Sequence, residues 1–110
     1  MKSLIYGLMI VTAIALCACI TYPVMSTVCV DDAMIYKGQS ADSVVDLLGP
    51  PDIVSSGGWL FCKHATDFGL NPSRNAIEWV FLGPQTSTVV YLHFGRVAAI
   101  GQLPTEKVRR

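Results

Sequence analysis

Lys37-Gly-Gln-Ser-Ala-Asp-Ser-Val-Val-Asp-Leu-Leu-Gly-Pro-Pro-Asp52 reads as one punctuated helix. Ser40 suits the N-cap, because its hydroxyl can accept from an unpaired N–H of the first turn. Asp42 places negative charge at the positive end of the helix dipole. Ala41, Val44, Val45 and Leu48 recur at the three- and four-residue spacing of one face, and Leu47 widens it; Asp42, Ser43 and Asp46 are left for water. Gly49 supplies the left-handed position after the last turn, and Pro50 and Pro51 forbid continuation.

Outward from this helix the period changes. Upstream, Ser26 to Ile35 has Val28, Asp31, Asp32 and Ile35 at helical spacing and is expected to form a short first helix. Downstream, Asp52 to Gly58 is turn-rich, ending in Ser55-Ser56-Gly57-Gly58. Strands are expected at Gly58–His64, Ala76–Leu82, Ser87–Phe94 and Val97–Ile100, separated by the long connection Ala65–Asn75 and by Gly83-Pro84 and Gly95-Arg96. In the strongest of them Thr88, Val90, Leu92 and Phe94 share one face, and Val89, Tyr91 and His93 the other. The layout is α+β, with one or two short N-terminal helices packed on one face of a three- or four-stranded antiparallel sheet.

Gly38, the Ser40 cap, the valine and leucine-pair helix, Gly49-Pro50-Pro51, Trp59-Leu60-Phe61 and the run Val90-Tyr91-Leu92-His93-Phe94-Gly95-Arg96-Val97 together resemble the SmpA/OmlA family of small bacterial outer-membrane lipoproteins. The resemblance covers roughly residues 33–100. It implies a first helix before residue 37 and a β-lactamase-inhibitor-like fold. It also implies a role as an accessory subunit of the machinery that assembles β-barrel proteins. The family pattern has one tryptophan strand here, whereas Trp59-Leu60-Phe61 and Trp79-Val80-Phe81 both qualify, so the strand count stays at three or four.

A chain of 110 residues with 52% hydrophobic and 15% charged residues is a single domain carrying more apolar sequence than its core needs. The excess sits at the N-terminus. Lys2 is followed by an apolar run from Leu4 to Leu16, which suits a secretory signal and falls short of the ~20 residues that span a bilayer. Extended to Ile20, the run also allows an uncleaved anchor. Leu16-Cys17-Ala18-Cys19 resembles a lipobox, so Cys19 is expected to be the lipidated residue of the mature N-terminus. The alternative is ordinary cleavage nearby, with Cys19 a plain core cysteine. Several acyl chains, at about 0.8 kcal/mol per buried methylene, hold a protein on a membrane. Ile20, where an aspartate resembles an inner-membrane retention signal, favours the outer membrane. The expected organisation is a signal peptide (1–18), a lipid-anchored tether (19–32), a small domain (33–103) and a solvated basic tail (104–110).

Net charge is zero and the basic residues are scattered, apart from Lys107, Arg109 and Arg110, so nucleic acid is not an expected partner. With Cys17 and Cys19 accounted for, Cys29 and Cys62 are left, either as a disulfide across an exported domain or as two separate buried thiols. Cys62-Lys63-His64 puts a thiol and an imidazole on one strand face, with His93 a third candidate ligand; this is half a zinc site or a Cys–His pair at most. Glu78 reads as a solvent-facing strand carboxylate rather than a catalytic acid. No fourth ligand, nucleophile elbow or phosphate loop accompanies them, so neither a metal, a cofactor nor catalysis is expected. Of Trp59, Phe61, Trp79, Phe81, Tyr91 and Phe94, most belong in a core and one or two on a partner surface. The sequence therefore points to a binding module on the periplasmic face of the outer membrane, with other envelope proteins as partners. An inhibitor or immunity-type binder is the alternative, and a small hydrolase using Cys62 and His64 the third reading.

Overall fold

The computed structural model describes residues 21–58 and 61–109. In chain order the elements are β1 (Thr27–Val30), β2 (Ala33–Tyr36), α1 (Ala41–Leu48), β3 (Ile53–Ser56), a 3-10 turn (Ala65–Phe68), β4 (Ala76–Phe81), β5 (Thr86–His93), β6 (Arg96–Pro104) and α2 (Thr105–Arg109). The fold is α+β, as expected. Strands β3-β4-β5-β6 make one antiparallel sheet in that order, and β1-β2 make a separate ribbon.

Helix α1 begins and ends where its punctuation says. Ser40 Oγ accepts from the Ser43 N–H at 3.2 Å, and the Gly49 N–H donates to the Val45 carbonyl at 2.7 Å. Gly49 has φ +82 and an extended ψ, a conformation that only glycine adopts freely. Its buried face is narrower than the periodicity suggested: Val44 is fully buried, Val45 and Leu48 are half-buried, and Leu47 is exposed.

The expected first helix is instead the β1–β2 hairpin. Val28 and Ile35 pair across it and point inward, whereas their neighbours Cys29 and Met34 pair and point outward. That alternation has period two, and three β-branched residues in four favour it in β1. Asp31 and Asp32 close the hairpin with φ +47 and +66, the two positive values that a two-residue primed turn requires.

The second correction lies after α1. Ile53–Ser56, expected as a loop, is the edge strand β3, in register with β4 from Ile53↔Val80 to Ser56↔Ile77. Of the expected strand Gly58–His64, the described residues 58 and 61–64 form no strand. Gly57 and Gly58 take φ +108 and +84, and the Cys62 N–H turns back to the Gly58 carbonyl at 2.9 Å. Two consecutive glycines at positive φ end an extended run. Trp59 and Leu60 lie outside the described residues, so Trp79 in β4 is the tryptophan strand that the fold displays.

Strands β4 and β5 match their expected spans closely, while β6 runs four residues further, from Arg96 to Pro104. Between Tyr91↔Ala99 and Leu92↔Val97 the register slips, leaving Ala98 as the extra residue of a bulge. Phe94, expected on one strand face with Thr88, Val90 and Leu92, instead sits with φ +52 in the β5–β6 turn and is 77% exposed. The expected solvated tail is α2. Thr105 Oγ1 lies 2.7 Å from the Gly83 carbonyl and 2.8 Å from Ser87 Oγ, and Val108 is buried. The expected tether is also structured from Tyr22 on, whose N–H donates to the Asp67 carbonyl at 2.8 Å.

Both faces of the large sheet are covered. On one, α1 and the β1–β2 ribbon bury Phe81, Val90, Leu92, Val97 and Ile100. On the other, the segment 62–70 and α2 bury Val80, Val89, Tyr91, Ala99 and Leu103. The expectation of helices on one face thus accounts for half the core. The free side of β6 is closed by a bridge from Met25 to Ile100 and by Gly38 and Gln39, each bonded to Val97 at 2.8 Å. Closing an edge in this way removes a template for stray pairing.

Candidate functional site

Segment 62–70 covers the only charged side chain buried in either core cluster's neighbourhood among the described residues, Glu78. It sits in mid-β4 on the α2 side of the sheet and is 1% exposed, which corrects its reading as a solvent-facing carboxylate. Its Oε2 accepts from Tyr91 Oη at 2.8 Å and from the His64 N–H at 3.1 Å. Its Oε1 is buried with no hydrogen-bond partner among the described residues. Register explains the meeting, because Glu78 and Tyr91 stand directly opposite on β4 and β5. Burial and then the Glu78 hydrogen bond push the Tyr91 hydroxyl far above its ordinary range.

Cys62 is buried beside this cluster. Burial first and the Glu78 charge second push its thiol up, away from the thiolate that nucleophilic attack or metal binding needs. The His64 ring instead meets Asp67, with Nδ1 3.7 Å from the carboxylate. Lys107 Nζ from α2 also reaches Asp67, at 3.4 Å, and lies 5.6 Å from the Tyr22 ring centre. His64, Asp67, Lys63, Lys107 and Arg109 line an open cleft of about 530 Å³. His93 is not drawn into this group. It lines an apolar pocket of about 220 Å³ with Leu70, Pro72, Tyr91 and the bulged Ala98, and its ring stacks edge-on against Phe94. Among the described residues no three His, Cys, Asp or Glu side chains gather where one metal ion could be held.

Cys29 and Cys62 are both free, the first exposed and the second buried. Cys29 faces outward from the ribbon on one side of the sheet, and Cys62 lies beneath the cover on the other. A disulfide needs Cα atoms within about 7 Å, so a sheet between the two excludes the bridge. The remaining motif residues are scaffolding. Gly38, at φ +94, brings the chain to β6, Ser40 and Gly49 bound α1, and Pro51 leads into Asp52, whose carboxylate accepts from the Leu82 N–H at 2.7 Å. Cys19, the signal segment and Trp59 lie outside the described residues.

The aromatic set divides as the sequence could not say. Phe81 and Tyr91 are buried and Trp79 is half-buried, while Phe61 and Phe94 are exposed. The burial of Glu78 was the functional feature missed. Its signal was a carboxylate at an alternate position between Ile77 and Trp79, matched in register by a tyrosine hydroxyl. A scan against family models and searches of curated proteins and of solved structures found no match to this chain.

Proposed function

We propose that this chain is a lipid-anchored binding module of the cell envelope. It is held on the periplasmic face of the outer membrane through Cys19 and acts by docking other envelope proteins. The assembly of outer-membrane β-barrels, the work of the lipoproteins it resembles, is the process we assign it to. The observation that carries the reading is the juxtaposition of a lipobox ending at Cys19 with a folded unit that, among the described residues, already engages the chain at Tyr22. A spacer that short seats the domain directly on its anchor.

A non-catalytic role draws support from the burial of the polar cluster. The Cys62 thiol and the Glu78 carboxylate are sealed under segment 62–70, the thiol is held neutral, and the His64 ring engages Asp67. Exposed aromatics suit docking, because binding energy concentrates in a few large side chains that a partner buries. Phe61 and Phe94 are those side chains. The test is co-purification from crosslinked envelopes, with metabolic labelling by a palmitate analogue. Cys19→Ala is expected to lose the label and membrane retention, and Phe61→Ala or Phe94→Ala to lose the captured proteins while keeping the label. An unlabelled wild type removes the anchor; capture indifferent to both phenylalanines removes the docking surface.

A further inference from the structure

We propose that the outward face of the β1–β2 ribbon docks on the same face of a second copy of this chain, in an antiparallel, twofold-symmetric contact. Four side chains form that face: the cross-strand pairs Thr27↔Tyr36 and Cys29↔Met34, all exposed. Met34 and Tyr36 are 59% and 48% exposed, whereas Val28 and Ile35 on the ribbon's other face are buried. A ribbon two strands wide with apolar side chains on both faces is one sheet of a two-sheet packing that lacks its second sheet.

Charge selects the occupant. The ribbon's turn carries Asp31 and Asp32, both exposed. Lys37 follows its open end, and Arg96 at the start of β6 reaches the same end, bonded to the Gly38 carbonyl at 3.0 Å. At about 3.3 Å per residue the two ends lie roughly 17 Å apart along the ribbon, beyond the ~8–10 Å over which salt leaves exposed charges coupled. Within one chain they gain little from each other. A twofold axis running across the strands sets the acidic turn of each copy over the basic end of the other and makes both contacts twice. A twofold axis along the strands would set Asp31 and Asp32 against themselves. The self-complementary charge pattern therefore fixes the antiparallel arrangement, with Met34 of one copy over Tyr36 of the next. Four side chains a side fall short of the ~800 Å² per partner of a stable complex, so the association is weak when dilute. Confinement of two copies to one membrane surface raises their effective concentration, but the contact itself does not depend on the anchor.

Cys29 lies inside the contact and serves as a reporter, while buried Cys62 is shielded. The full chain, extracted in mild detergent, is treated with a short bismaleimide and the dimer measured. Dimer is expected in wild type, to be absent in Cys29→Ser, and to fall about fivefold in Met34→Asp and in Lys37→Glu and on raising salt. Lys37→Glu combined with Asp32→Lys is expected to restore it, because the swapped charges meet again across the axis. Circular dichroism checks each variant, and the salt series decides where the charge swap unfolds the turn. A Cys29 that reacts with monofunctional maleimide yet gives no dimer overturns the proposal, as does a yield indifferent to Met34→Asp, Lys37→Glu and salt. Intact mass on the same samples reads acylation of Cys19 separately, so loss of the anchor and loss of the dimer are distinguishable.

Discussion

Glu78 shows how one buried carboxylate organises a face. It ties β5 through Tyr91 Oη and the covering segment through the backbone N–H of His64, not through the imidazole. Tyr91→Phe leaves the carboxylate one donor short in a dry site, and such a loss costs about 1–3 kcal/mol, read as a lower midpoint in urea unfolding. His64→Ala keeps the backbone donor and gives up the 3.7 Å contact of its ring with Asp67, so its cost is expected to be below about 1 kcal/mol and the proposed envelope function is expected to survive it. A folded His64→Ala protein without function would revive the hydrolase. Alkaline stability follows from the same cluster. Cys62 and Tyr91 both have folded values raised above their unfolded ones, so their contribution is complete at neutral pH. It is lost as pH climbs past the ordinary thiol value of 9.0 and then the tyrosine value of 10.0, where only the unfolded chain releases protons. Unfolding at pH 7 and pH 10.5 is expected to show a falling midpoint in wild type and a smaller fall in Cys62→Ala.

At the scale of elements, α1 supplies the sharpest contrast. Val44→Ala removes two methyl-sized groups from a fully buried site and is expected to cost about 2 kcal/mol, whereas Leu47→Ala stays within about 0.5 kcal/mol. Equal losses in urea unfolding would show the helix rotated on the sheet. Helix α1, β4 and β5 were legible because each carries its own boundaries: a cap and Gly-Pro-Pro in the first, Gly83-Pro84 and Gly95 around the others. The β1–β2 hairpin was not, because Val28, Asp31, Asp32 and Ile35 satisfy a helical period as well as a strand one, and only pairing with a partner strand decides between them. Strand β3 was hidden for a related reason. Ser55 and Ser56 are poor strand formers, and their ladder to β4 overrides local preference. Of the site, the motif glycines and Ser40 were readable from backbone chemistry, whereas the separation of Cys29 from Cys62 depends on which side of the sheet each segment crosses.

For the whole molecule, the large sheet carries a different cover on each face, and the chain just before β1 crosses from one to the other. Tyr22 packs edge-on to Phe68 under the α2 side, and Met25 bridges Ile100 and joins the α1 side. Helix α2 belongs to this scheme and not to a tail. Truncation after Pro104 removes Val108 from the core and leaves the Gly83 carbonyl without Thr105, which is expected to cost more than about 2 kcal/mol in thermal or urea unfolding. Tyr22, three positions after Cys19 in the sequence, is already bonded to Asp67, so the proposed anchor would hold the domain close to its membrane. Intact mass spectrometry of the mature protein from membranes tests that claim most directly. The account predicts an N-terminus at Cys19 carrying a diacylglyceryl group and a further acyl chain; an N-terminus elsewhere, or an unmodified Cys19, would contradict it.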